Sequence, residues 1–81
     1  MSKTKTKREA EIKHCLRRLS ERFQSGDETY DEILSAIREG RAEFVYKQSN
    51  TRTIFKVDDM YAVYNKLRKT VVTVLTPEMM Q

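Results

Sequence analysis

The stretch that decides the fold is RTIFKVDDMYAVYNKLRKTVVTVLT, residues 52–76. It is rich in β-branched and aromatic residues, which fit the half-buried surface of a sheet. Asp58-Asp59 and the polar run at 66–69 interrupt it, and both are typical of exposed turns. Because these connections are short, the strands between them are expected to pair antiparallel. The predicted strands span residues 52–58, 60–66 and 70–76.

Working outward from this stretch, a fourth strand is predicted at 42–48, separated from the others by a turn at Ser49-Asn50. The last strand is the most apolar of the four and is apolar on both faces, so we expect it to be central in the sheet. Pro77 ends that strand, and residues 77–81 are predicted to be a loose C-terminal tail.

Upstream of the strands the apolar period changes from two residues to 3.6, which indicates helices. The first helix is predicted from Glu9 to Gln24, and Ser25-Gly26 ends it. Its apolar stripe lies at offsets of 3, 4, 7 and 11 from the first member. The stripe consists of Ile12, Cys15, Leu16, Leu19 and Phe23.

A second helix is predicted from about Asp27, with Thr29 and Glu32 at capping-box spacing. Arg38 followed by Gly40 is a typical C-terminal signal. The buried stripe is expected to be Tyr30, Ile33, Leu34 and Ile37. Two helices followed by four strands predict an α+β fold, with both helices packed on one face of a four-stranded antiparallel sheet.

Composition limits what a protein of this length does. The chain has 81 residues, enough for one domain, which we place at 9–76 after a flexible basic arm at 1–8. With one cysteine and one histidine, a single chain can form neither a disulfide nor a structural zinc site, and we expect no metal or other cofactor. No apolar run approaches the ~18 residues of a membrane span. We therefore expect a cytoplasmic protein without a membrane partner.

The charge is unevenly distributed along the chain. Residues 1–22 carry 8 basic and 3 acidic side chains, residues 23–43 carry 2 and 6, and residues 44–81 carry 6 and 3. Basic segments attract polyanions, although a basic arm also serves simply to keep a chain soluble. The side chains predicted to contact RNA are Lys5, Lys7, Arg8, Arg17, Arg22, Lys47 and Lys56.

Strand alternation assigns the two faces of the sheet. We expect Phe55, Val57, Tyr61 and Val63 to face the helices. The opposite, uncovered face is expected to carry Arg52, Ile54, Lys56, Ala62, Tyr64, Val71 and Thr73. Two cations, a phenol and a hydroxyl on one face suit a phosphate backbone with bases available for stacking, and they are equally common on ordinary solvated sheets.

The single histidine lies in the first helix, where His14 and Arg18 are four residues apart and so share a side. An imidazole beside guanidinium groups can transfer a proton near neutral pH while the cations hold an anion. The alternative interpretation is an ordinary surface histidine.

The run HCLRRLSERF at 14–23 resembles the first helix of small phage and bacterial proteins related to the RelE/BrnT-like ribonuclease toxins. The segment from Tyr30 to Gly40 resembles their second helix and its end. The predicted strands resemble the sheet that completes many such domains. The resemblance extends over about residues 12–76.

In that group the toxins cleave RNA without metal, often mRNA on the ribosome, and are held by an antitoxin. The resemblance implies a metal-independent endoribonuclease, in which a 2′-hydroxyl attacks the neighbouring phosphate. His14 would be the acid or base, Arg18 and Arg52 would stabilise the phosphate, and Tyr64 and Thr73 would orient the 2′-hydroxyl or the leaving group.

Three functions are therefore expected as alternatives. The first is a toxin-type endoribonuclease, and the second is a non-catalytic module that binds RNA or the ribosome with the same surface. The third is a small phage-type protein that binds and modulates a host protein.

Overall fold

The computed structural model describes residues 7–80 and has the predicted order of elements. Two helices precede four antiparallel strands, which confirms the α+β class. The helices are α1 (Lys7–Phe23) and α2 (Asp27–Arg38), and the strands are β1 (Glu43–Lys47), β2 (Arg52–Val57), β3 (Met60–Asn65) and β4 (Thr70–Leu75). Pro77–Met80 forms a 3₁₀ helix, so the prediction of a loose tail over these four residues is wrong.

The helix ends differ from prediction at two points. After α1 the residue in the left-handed region is Gln24, at φ 53°, one residue before the predicted break at Ser25-Gly26. The Ser25 N–H donates to the Leu19 carbonyl at 3.1 Å, which closes the end of the helix. Gly26 instead precedes α2 as its N-cap, with no side-chain cap, so the predicted capping box of Thr29 and Glu32 is wrong.

Two further boundaries bear on function. α1 begins at Lys7, so the last two residues of the predicted flexible arm, Lys7 and Arg8, are helical, and the rest of the arm lies outside the described residues. α2 ends as predicted, with Gly40 at φ 77° and the Arg41 N–H donating to the Ala36 carbonyl at 2.8 Å. Glycine adopts this backbone conformation without a Cβ penalty.

The strand order is β1-β2-β3-β4, so β4 is an edge strand and the prediction that it is central is wrong. Its apolar character has another cause, because α1 packs along β4 and covers it. The Arg22 guanidinium donates to the Val74 carbonyl at 2.6 Å. The Val71 N–H donates to the Tyr30 hydroxyl at 3.2 Å. Side chains from both helices thus occupy backbone groups of β4.

The other edge of the sheet is β1, which is paired with β2 alone. Its register slips at Val45, the extra residue of a bulge between Phe44 and Tyr46. Both flanking aromatic side chains are exposed, Phe44 at 60% and Tyr46 at 46%. A bulge on an edge strand hinders regular pairing with a further strand.

The β2–β3 hairpin corrects the predicted faces of the sheet. Its turn has two residues, with Asp58 at φ 56°, and therefore pairs Val57 with Met60. Directly opposed residues share a face, so odd positions of β2 lie beside even positions of β3. The predicted alternation carried odd positions straight through the turn and placed β3 on the wrong faces.

On the corrected assignment Ala62 and Tyr64 face the helices, whereas Tyr61 and Val63 lie on the opposite face. An irregularity in β4 pairs Tyr64 with Val71 and Val63 with Thr73. The predicted sides of Phe55, Val57, Arg52, Ile54, Lys56 and Thr73 are confirmed, and those of Tyr61, Val63, Ala62, Tyr64 and Val71 are wrong. The face opposite the helices is not uncovered as predicted, because Ile54 and Val63 are buried on it.

The core lies between the helices and the sheet. Its fully enclosed members include Cys15, Leu19 and Ile33 from the helices and Ala62, Val71 and Val74 from the strands. Burial raises the pKa of the Cys15 thiol to about 12. Cys15 is therefore a small apolar core residue, as its position in the stripe predicts.

Candidate nucleic-acid interface

The turn between β3 and β4, residues 66–69, is held by hydrogen bonds to each of its four backbone amides. The Leu67 and Arg68 N–H groups donate to the Asn65 side-chain oxygen at 2.9 and 3.0 Å. The Lys69 N–H donates to the Asn65 carbonyl at 2.7 Å, with Lys69 in the left-handed region at φ 57°. Asn65, itself buried, thus fixes the conformation of this turn.

The fourth amide joins this turn to its neighbour. The Lys66 N–H donates to the Thr51 carbonyl at 2.7 Å, which ties residues 66–69 to the β1–β2 turn at 48–51. That second turn is closed by the Arg52 carbonyl, which accepts from the Gln48 and Ser49 amides at 2.9 and 3.0 Å. Two turns that are distant in sequence therefore form one continuous surface.

The start of α1 joins the same surface through Glu11. Its carboxylate accepts hydrogen bonds from Arg68 at 2.8 Å and from the Thr70 hydroxyl at 2.8 Å. The Asn65 side-chain amide approaches the same carboxylate at 3.4 Å. The Glu11 side chain is 14% exposed, so this ion pair is mostly shielded from water. It fixes the first turns of α1 beside the β3–β4 turn.

We call the surface formed by these three segments the basic end. Arg68 is neutralised there by Glu11, whereas the other cations are exposed to solvent. The exposed cations are Lys7, Lys47, Arg52, Lys66 and Lys69. Arg8 is exposed too, but it lines a pocket against α2 with Asp27 and Asp31 and is not part of the basic end. Tyr46 pairs with Ile54, two residues from Arg52, so its half-exposed side chain lies diagonally across from Arg52 on the face opposite the helices.

The opposite end of the sheet carries negative charge. A groove between α2 and the β2–β3 hairpin is lined by carboxylates, with Arg41 and Lys56 as its two cations. These carboxylates belong to Asp31, Glu32, Glu39, Glu43 and Asp58. The length of a six-residue strand, about 20 Å, separates this acidic groove from the basic end.

The structure disperses most of the predicted catalytic residues. His14 is exposed on α1, and the Arg18 guanidinium bonds Glu21 at 2.7 Å. Tyr64 packs against the core on the helix-covered face. Arg52 and Thr73 do share the face opposite the helices, yet with β3 between their strands their Cα atoms are about 12 Å apart.

The predicted RNA contacts lie in different places. Lys7 and Lys47 belong to the basic end, whereas Arg8 lines the pocket with Asp27 and Asp31. Arg17 is exposed elsewhere on α1, and Lys5 lies outside the described residues.

The remaining two predicted contacts are engaged within the fold. Arg22 is bonded to the β4 backbone, as described above. The Lys56 ammonium lies 6.0 Å from the centre of the Tyr61 ring and beside the acidic groove.

Sequence reasoning did not assign Lys66, Leu67 and Lys69 to RNA binding. The signal was present in the sequence, since three of the four residues at 66–69 are cations around an exposed leucine. Without the Lys66–Thr51 hydrogen bond, however, nothing in the sequence unites this turn with Arg52 and Lys47.

Within residues 7–80 no group of three or more histidine, cysteine or acidic side chains is arranged to hold a metal ion. In the same part of the chain no helix combines the length and apolarity needed to cross a bilayer.

Comparison with known proteins yields no match to any family model, to any curated protein or to any solved structure. Nothing in these comparisons links the chain to the RelE/BrnT-like toxins, and that resemblance stays a hypothesis.

Proposed function

We propose that this protein is an RNA-binding module that uses the basic end. The observation that carries the proposal is the Lys66–Thr51 backbone hydrogen bond, which brings Lys47 and Arg52, on either side of the 48–51 turn, beside the cations of residues 66–69. The Glu11 network adds the start of α1 with Lys7. Five exposed cations at one end, with few carboxylates among them, match the charge of a phosphate backbone.

An exposed aromatic side chain beside the basic end supports RNA over a simpler polyanion. Tyr46 offers a half-exposed ring diagonally across from Arg52. Aromatic faces accept stacked bases, and a guanidinium binds a phosphate through paired hydrogen bonds. This pairing of ring and cation suits a ligand that has both bases and phosphates.

Binding is better supported than cleavage. A 2′-hydroxyl attack needs an acid, a base and cations within hydrogen-bond reach of one phosphate. Arg18 is paired with Glu21 and Tyr64 is covered, which leaves His14, Arg52 and Thr73 on three different elements. The endoribonuclease, with its antitoxin partner, and the host-protein modulator are retained as outcomes of the tests.

The first prediction concerns the charge at the basic end. Replacing Arg52 and Lys66 with glutamine in one variant removes two exposed cations and retains the backbone bonds. In a binding titration with a labelled single-stranded RNA at 0.1 M salt, we expect affinity to fall about 10-fold or more. The slope of log K against log salt should become less steep by about 1 for each lost phosphate contact.

The matched control removes the same net charge at the far end, through Arg38→Gln with Arg41→Gln. We expect this variant to bind RNA within about twofold of the wild type at 0.1 M salt, because charges farther away than the Debye length are screened. Equal losses in both variants, or no binding by the wild type at low salt, would contradict the proposal.

The same RNA, recovered after incubation and analysed on a denaturing gel, separates binding from cleavage. Intact RNA is the outcome expected of a binding module. Fragments ending in a 2′,3′-cyclic phosphate that disappear in His14→Ala would instead establish the ribonuclease hypothesis. A host protein that co-purifies in place of RNA would support the third function.

A further inference from the structure

Leu67 is an apolar side chain displayed on a charged surface. Among the large apolar side chains of residues 7–80 it has the greatest exposure, at 74%. Its neighbours on the turn, Lys66 and Lys69, are exposed cations. Single exposed leucines are common on proteins, so exposure alone indicates nothing about function. Leu67 differs from such leucines in two respects: hydrogen bonds fix the turn that carries it, and exposed cations lie beside it.

The turn that carries Leu67 has a fixed shape. Asn65 holds the Leu67, Arg68 and Lys69 amides, and Thr51 holds that of Lys66. Arg68 is in turn anchored to Glu11 on α1. A segment ordered in advance loses little conformational entropy when it binds, so a contact made by Leu67 contributes most of its free energy to affinity.

A phosphate backbone alone offers Leu67 no apolar partner, whereas the face of a nucleobase does. Leucine is one of the side chains that proteins place between bases as apolar wedges. In a duplex the base faces are stacked on one another, and opening a step costs a few kcal/mol. In single strands the faces are available at less cost.

Building on the RNA-binding function proposed above, we infer that Leu67 packs against the face of an unpaired base while Lys66 and Lys69 hold the flanking phosphates. The ligand class is therefore single-stranded RNA, or a loop with unstacked bases. On this assignment the lysines supply affinity that depends on salt. Leu67 supplies the preference for unpaired bases, and this contribution does not depend on salt.

The test uses the full chain and three labelled probes of equal length: a single-stranded RNA, the same strand with abasic central positions, and a perfect duplex. Leu67→Ala should bind the single strand about 5- to 10-fold more weakly than the wild type, because the shorter side chain buries less apolar surface against the base. On the abasic strand and the duplex its affinity should equal that of the wild type. Leu67→Phe should restore or strengthen binding to the single strand.

The salt dependence gives a second readout. The slope of log K against log salt should be unchanged in Leu67→Ala and reduced in the Arg52→Gln, Lys66→Gln variant. A circular-dichroism melt checks that Leu67→Ala remains folded, as expected for an exposed side chain.

Three results would overturn the inference. If Leu67→Ala binds all three probes like the wild type while the charge variant is weakened, the role of Leu67 fails and RNA binding stands. If no form binds RNA, both proposals fail. If Leu67→Ala retains RNA binding but loses binding to phosphatidylserine vesicles, the leucine serves a membrane surface instead.

Discussion

Cys15 shows how burial decides chemistry at a single residue. The thiol is fully enclosed, and desolvation raises its pKa to about 12, so less than about 0.1% of it is thiolate at pH 8. We expect the folded protein to resist iodoacetamide at pH 8 for hours, and the urea-unfolded protein to react within minutes. Mass spectrometry of the two samples measures this, and rapid labelling of the folded chain would contradict the enclosed position.

The same pKa gives a stability prediction with a definite sign. The unfolded thiol ionises near its ordinary value of 9.0, whereas the folded thiol stays neutral to about 12. The stabilising contribution of Cys15 is therefore complete below pH 9 and is lost as pH rises towards 12. In urea titrations across this range, Cys15→Ala should show a shallower loss of unfolding free energy than the wild type.

Sequence patterns predict the burial of individual residues well where a single hydrophobic period extends through the whole element. Cys15 and Leu19 lie where the helical stripe puts them. Tyr64 was placed on the wrong face because its side depends on how many residues form the turn at 58–59, which composition does not specify. Whether the turn has an even or an odd number of residues determines which face of the sheet each β3 side chain occupies.

At the scale of elements, the Glu11 network is the main polar link between α1 and the sheet. Glu11→Ala leaves Arg68 and the Thr70 hydroxyl without their shared acceptor, and we expect a loss of about 2 kcal/mol in the free energy of unfolding. Glu21 on the same helix provides the control, because its ion pair with Arg18 is exposed. Glu21→Ala should cost less than about 0.5 kcal/mol by urea denaturation. Equal costs would show that the Glu11 network adds no stability.

The existence, type and order of the elements follow from the sequence, since the change of period near Gly40 is unambiguous. The position of β4 does not follow. A central strand between two strands and an edge strand covered by a helix have the same apolar sequence pattern. Here β4 is an edge strand, paired with β3 and covered by α1. Long-range contacts of this kind, including Arg22 with Val74, leave no local signature.

The candidate site was predictable only in its parts, for the same reason. The charge pattern predicts Lys7 and Lys47 as RNA contacts, and the resemblance implies Arg52 as a phosphate contact. Their union with 66–69 depends on one backbone bond between residues 15 positions apart, Lys66 and Thr51. Tertiary structure therefore assembles the basic end from segments that are individually ordinary.

For the whole molecule, the separation of charge governs how it approaches a polyanion. The acidic groove lies about 20 Å from the basic end. This distance is about twice the Debye length at 0.1 M salt, but it is shorter than the Debye length at 0.01 M salt. Neutralising the groove with Glu32→Gln and Glu43→Gln should leave RNA affinity within twofold at 0.1 M and strengthen it at 0.01 M. A large gain at both concentrations would show that the groove lies nearer the RNA than we propose.

The covering of β4 by α1 has a consequence for assembly. Open-ended assembly by strand pairing requires two free sheet edges on every copy, one that pairs with the preceding copy and one that pairs with the next. Arg22 and Tyr30 occupy backbone groups at one border, which leaves β1 as the only unpaired border within residues 7–80. Each copy therefore has one edge available for strand pairing. Pairing through β1 stops at a dimer, and a larger assembly would require α1 to detach from β4.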